Sequence, residues 1–181
     1  MSTKTEATIK DLYKVEGKAE LVNGEIVHMS PTGGSPNYAA LEIAISLRQY
    51  TKRTKTGYAV GDNAAFKVNL PNRKSFSPDA SFYLGEITMK FFEGAPAFAA
   101  EVRSEGDYGP KAEREMAQKR ADYFAAGTQV VWDVDLLSET VVRVYRASDL
   151  DKAQVYRRGE MAEAEPAVPG WTMVVDDLFV E

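Results

Sequence analysis

Residues 96–103, Pro-Ala-Phe-Ala-Ala-Glu-Val-Arg, read as a strand with two unlike faces. Side chains alternate along a strand, so Ala97, Ala99, Glu101 and Arg103 share one face, and Phe98, Ala100 and Val102 share the other. The second face is apolar and asks for packing. The first carries charge above small residues, which leave room for an ion and a phosphate. A carboxylate in so apolar a strand also needs a partner. Two candidate groups are in reach by pattern, one acid and one cation. Ser77-Pro78-Asp79 sets an acid at the start of a neighbouring strand. Downstream, Ala112, Met116, Lys119 and Tyr123 recur at helical spacing on one stripe. That stripe turns Lys119 inward, while Glu113, Glu115, Gln118 and Asp122 tend outward. Burying an unpaired ammonium is costly, so an inward Lys119 is best explained by carboxylates that meet it.

The remaining pattern is that of an α/β chain. Residues 1–16 read as a polar arm and a short helix around Ile9, Leu12 and Tyr13. Ala19–Val22 and Glu25–Met29 flank Asn23-Gly24, the strongest two-residue hairpin signal. A helix is expected from Asn37 to about Thr51, with Leu41, Ile45 and Leu47/Arg48 near a 3.6 period. Strands are expected at 58–60, 64–70 and 79–84, with 87–94 ambiguous. A helix over Lys111–Ala126 closes at Gly127, the residue type found just past a helix end. Thr128–Val134 reads as a buried strand and Val141–Tyr145 as its hairpin partner. The tail around Pro169-Gly170-Trp171 is expected to pack back on the body.

Composition narrows the class. A chain of 181 residues fits one domain, 1–181, with a sizeable core. No run approaches the ~20 apolar residues of a membrane span, and no apolar signal segment follows the N-terminus. With no Cys there is neither a disulfide framework nor a thiolate metal site, which fits a reducing cytoplasm. The net charge of −5 runs against a general nucleic-acid-binding surface, so DNA binding would need a local basic patch. Lys52, Arg53, Lys55, Arg73 and Lys74 are the candidates.

Two acids on adjacent strands with a nearby cation are what a metal-dependent phosphodiesterase requires. The carboxylates hold a divalent ion that acidifies a water and offsets phosphate charge. The cation adds charge for the transition state. Motif order then suggests a family. Glu20-Leu21-Val22-Asn23-Gly24-Glu25, Ser77-Pro78-Asp79, Glu93 to Pro96 leading to Glu101-Val102-Arg103-Ser104, and Lys119 to Tyr123 occur in sequence. Ala126-Gly127, Val131 to Asp135 and Val168 to Trp171 complete the set. Over about Ala19 to Phe179 the chain resembles the Uma-type endonucleases of the PD-(D/E)xK superfamily.

The resemblance implies a restriction-endonuclease-like mixed central sheet flanked by helices, with an N-terminal β-hairpin, and a Mg²⁺ site that Mn²⁺ can fill. On that pattern Asp79 and Glu101 are the metal ligands, with the Val102 carbonyl a third. Lys119 is the lysine moved from strand to helix, and Glu20 is an early acidic position. Arg103 takes the strand position of the motif's own lysine, as a phosphate clamp or a partner of Glu101. The family often has Asp where Ala97 stands and an apolar residue where Arg103 stands.

Blander assignments stay open beside these. Asp79 suits a strand-start turn. Glu101 with Arg103 or Lys119 suits a structural ion pair. Glu20 suits an exposed hairpin position, and the basic clusters suit solvated loops. His28 has no second His to join it at a metal. The expected activity is Mg²⁺-dependent cleavage of DNA phosphodiesters, by a homodimer if both strands are cut. The alternatives are a catalytically inactive, nucleic-acid-associated or protein-interaction module on the same fold, and hydrolysis of a non-nucleic phosphoester.

Overall fold

The computed structural model describes residues 3–181. A short helix α1 (Ile9–Leu12) precedes a hairpin of β1 (Ala19–Val22) and β2 (Glu25–His28). Asn23 and Gly24 both take positive φ at its tip, the requirement that makes this dipeptide a hairpin turn. Helix α2 (Gly34–Thr54) leads to β3 (Tyr58–Val60), β4 (Phe66–Lys67), β5 (Ser75–Phe76) and β6 (Ala80–Tyr83). After β7 (Phe92–Glu93) and β8 (Phe98–Val102) comes α3 (Pro110–Ala125). The chain ends with β9 (Val130–Val134), β10 (Val142–Arg146), β11 (Asp149–Tyr156), β12 (Met161–Glu163), β13 (Thr172–Val174) and a 3₁₀ turn, Val175–Leu178.

Six strands form the central sheet in the order β11-β10-β9-β8-β6-β3. It is mixed: β8 and β9 run parallel, joined through α3, and the other neighbours run antiparallel. The alternation read along residues 96–103 sorts the two faces. Phe98, Ala100 and Val102 join Val130, Trp132 and Val134 in a core closed by Ile43, Leu47 and Tyr50 of α2 and by Trp171 from the tail. Ala99 and Val131 face the other way, onto Tyr123 of α3 and onto Phe66 and Phe76 of the small β5-β4-β7 sheet.

Several elements depart from the sequence expectation. Helix α2 starts three residues early, because Pro36 lies in its first turn, where a missing N–H costs nothing. Its buried stripe is Ala39, Ala40, Ile43, Leu47 and Tyr50, while Leu41 and Ile45 are exposed. The strand expected over 64–70 shrinks to two residues ahead of Pro71. Strand β11 went unread, since its exposed, charged residues belong to a sheet edge. The tail packs as expected: Trp171 is buried and donates its indole N–H to Ser46.

Candidate active site

Strand register brings the two expected acids together. β6 and β8 pair antiparallel with Ala80 opposite Ala100, which sets Asp79 across from Glu101 on one face. Cross-strand neighbours of this kind have Cβ atoms ~4.5–5.5 Å apart. The main chain fixes Asp79 further. Its N–H donates to the Ala100 carbonyl at 3.1 Å, and its Oδ2 accepts the Val102 N–H at 2.7 Å.

Lys119 reaches this pair from α3. Its Nζ lies 2.8 Å from Glu101 Oε1 and 2.9 Å from Glu20 Oε1, so the helix stripe aims where periodicity placed it. Burial alone would lower the Lys119 pKa, but Glu101 and Glu20 override it and the pKa is raised. Lys119 is therefore a fixed ammonium here. Tyr123, one turn on, donates its hydroxyl to Glu101 Oε1 at 2.6 Å and stacks on Phe76. Burial, then the charges of Glu101 and Glu20, push the Tyr123 pKa well up, so it stays a donor. On the sequence Tyr123 marked only the stripe.

Glu20 is buried, which removes it from the exposed hairpin position that was left open. Its Oε1 accepts the Ser77 N–H at 2.7 Å and its Oε2 the Arg73 guanidinium at 2.8 Å. Burial raises its pKa, but Lys119 and then Arg73 bring it down to about 2. Glu101 ends the other way. Burial comes first, Lys119 lowers it, Asp79 and Glu20 raise it, and the pKa rises.

Three placements correct the sequence reading. Arg73 is not a solvated loop residue open to phosphate: it is 6% exposed and bridges Glu20 and Asp122. Asp122 does not tend outward: it is buried, taking Arg73 Nε at 3.0 Å and Asn72 Nδ2 at 2.9 Å. Arg103 does not pair with Glu101. It forks onto Asp133 at 2.9 and 2.7 Å and also onto Glu113, and it is 5% exposed. Its five N–H donors are largely consumed there.

The other basic candidates stand apart from the acids. Lys52 and Lys55 border a cleft with Arg48, Tyr58 and Leu84, at the end of β6 opposite Asp79. Five residue steps along the strand separate Asp79 from Leu84, roughly 16 Å. Arg53 lies in the last turn of the same helix, with its guanidinium over the Tyr50 ring. Lys74 bonds Asn69 across its turn.

Lys18 and Asp62 complete the site and were missed. Lys18 Nζ lies 2.8 Å from Asp79 Oδ1 and 2.7 Å from Asp62 Oδ1. Lys18 stands two residues before Glu20, so strand alternation was a usable signal. Asp62, in a loop, carried none.

The donor set can be weighed for a divalent ion. Among the described residues no three His, Cys, Asp or Glu side chains form a metal cluster. An ion would therefore draw on Asp79, Glu101 and the Val102 carbonyl, with water filling the rest, as Mg²⁺ accepts. Charge favours such an ion. Among the described residues Asp62, Asp79, Glu101, Glu20 and Asp122 are linked through Lys18, Lys119 and Arg73 alone, which leaves two negative charges in excess. The oxygen chemistry and the charge both fit Mg²⁺ or Mn²⁺.

Known proteins match in two ways. The sequence profile of a family, Uma2, described as "Putative restriction endonuclease", matches residues 8–176. A crystal structure described as a putative nuclease belonging to DUF820, from Anabaena variabilis ATCC 29413, superposes with a TM-score of 0.76. It is 19% identical, over 96% of this chain and 97% of that one, a likeness of fold. No curated protein matches the chain. Among the described residues no helix is long and apolar enough to cross a membrane.

Proposed function

That the chain belongs to the Uma2 family of putative restriction endonucleases is the premise from which we propose metal-dependent cleavage of DNA phosphodiester bonds. The observation that carries the reading is the cross-strand Asp79–Glu101 pair, capped by a partly buried lysine that also grips Glu20. Asp79, Glu101 and the Val102 carbonyl would hold the ion. Bound there, Mg²⁺ supplies an acidified water and offsets charge at the scissile phosphate.

The chain's own groups do the rest. Val102 N–H and Lys18 orient the Asp79 carboxylate. Tyr123 and Lys119 orient Glu101 through a single oxygen, Oε1, leaving Oε2 for an ion. Lys119 spends two of its three donors on Glu20 and Glu101, and the third is available to a phosphate oxygen. As a fixed cation it acts by charge, stabilising the negative transition state. Glu20 holds Lys119 and Arg73 rather than meeting substrate.

The test is cleavage of duplex DNA with Mg²⁺ or Mn²⁺. Wild type should cut, while Asp79→Asn and Glu101→Gln should lose ~10²-fold or more, the scale of a lost charge-stabilising group. No cutting by wild type with either metal supports the other reading, a fold-retaining module. One observation favours that alternative: among the described residues both carboxylate oxygens of Asp79, Glu20 and Asp122, and one of Glu101, already have a partner within the chain.

DNA would reach the site from the basic end of α2. Roughly 16 Å along β6 is about five base steps at 3.4 Å each, so a duplex over Asp79 extends to Lys52, Arg53 and Lys55. Replacing these three and Lys74 by Ala should weaken DNA binding. The salt dependence should flatten by ~0.9 in log–log slope per lost phosphate contact. An unchanged slope removes these residues from the interface.

A further inference from the structure

Lys18 sits where a divalent ion would compete with it. Asp79 has two oxygens: Oδ2 is taken by the Val102 N–H, and Lys18 Nζ holds the other at 2.8 Å. The Lys18 side chain is only 12% exposed, so releasing Asp79 would strand a poorly hydrated ammonium. Asp62 removes that cost. It lies 2.7 Å from the same Nζ, on the more open side, with its carboxylate 38% exposed. Lys18 therefore has two counter-charges where neutrality needs one. Lys119 differs, because both of its carboxylates are buried or shared with further donors.

Building on the metal reading above, we propose that Lys18 and Asp62 form a cation relay that reserves Asp79 for a divalent ion. Without the ion, Lys18 holds Asp79 Oδ1, keeping the carboxylate charged and oriented. When an ion takes that oxygen, Lys18 withdraws onto Asp62 and remains paired. Lys18 and Asp62 are thus positioning residues. One competes with the ion, and the other draws that competitor away.

The two members of one ion pair then shift metal affinity in opposite directions, and the Asp62 effect depends on Lys18 being present, which through-space charge alone would not require. The measurement is Mn²⁺ binding by calorimetry on the full chain, with folding of each variant checked by thermal unfolding. Lys18→Met removes the competitor and should tighten Mn²⁺ binding about tenfold, the partly screened effect of one charge near a dication. Lys18→Gln serves if the Met variant does not fold. Asp62→Asn should weaken binding several-fold, because Lys18 then has Asp79 alone. In the Lys18→Met background Asp62→Asn should change affinity little, since Asp62 acts only through Lys18.

Unchanged or weaker binding in Lys18→Met overturns the relay. So does an equal Asp62→Asn loss in both backgrounds, which would mean that Asp62 attracts the ion directly. Wild type that binds no Mn²⁺ overturns the metal reading itself and the relay with it, a result separable from failure of the variants alone.

Discussion

Replacing Lys119 by Met should lower metal-dependent DNA cleavage by ~10²-fold or more, the usual cost of removing a charge that stabilises the transition state. Little of that loss should come from unfolding. Glu20 keeps Arg73 and the Ser77 N–H, and Glu101 keeps the Tyr123 hydroxyl. Arg103→Met should behave in the opposite way. Its guanidinium serves Asp133 and Glu113, so its loss leaves Asp133 buried and short of its main partner. Arg120 and Arg143 lie further off, at 3.7 and 3.8 Å from the same carboxylate. The folded fraction of Arg103→Met should cut nearly as well as wild type, and its unfolding midpoint should fall. Cleavage rates normalised to folded protein decide the matter. An active Lys119→Met beside an inactive but folded Arg103→Met would reverse the two roles.

The largest stability effect is expected at Arg73. Its guanidinium joins Glu20 and Asp122, each mostly buried, and lies over the Phe76 ring at 4.7 Å. Breaking a buried ion pair by removing one partner costs ~3–5 kcal/mol; here Asp122 would keep only the neutral amides of Asn72 and Gln118. Arg73→Met should lose stability on that scale in denaturant unfolding. Lys74→Met, the neighbouring residue, should stay within ~0.5 kcal/mol, as exposed surface changes do. Equal, small losses at both positions would return Arg73 to the solvated loop that its sequence suggests.

Why Arg73 was unreadable is plain from its surroundings. Pro71-Asn72-Arg73-Lys74 is polar throughout, and every local signal says turn. Its burial comes from β1, more than 50 residues upstream in sequence. There the Leu21 N–H bonds Ser75 Oγ at 2.8 Å and Val22 bridges to Arg73 itself. Asp122 failed for a related reason. A helical wheel allows one inward stripe, but α3 is gripped from two sides, by the sheet and by the Asn72–Arg73 turn. Lys18 and Asp62 meet across 44 residues, beyond any periodicity.

What was legible was local and repetitive. Alternation along residues 96–103 sorted both faces of β8, because each face packs against a different layer. Pro78 ahead of Asp79 and the small residues around Glu101 located the acid pair. Helical spacing located Lys119 and, with it, Tyr123. Charge balance across the network was not legible, since it depends on which carboxylates the fold brings within reach of one lysine.

We propose that Asp79 and Glu101 hold one divalent ion. Crystals of the full chain soaked in Mn²⁺ and measured for anomalous scattering test it directly. A single peak is expected between the two carboxylates, with oxygen ligands from Asp79, Glu101 and the Val102 carbonyl at ~2.0–2.6 Å. Lys119 should stay paired with Glu20. No peak at saturating Mn²⁺, with Lys18 on Asp79 and Lys119 on Glu101 as they stand now, would contradict it.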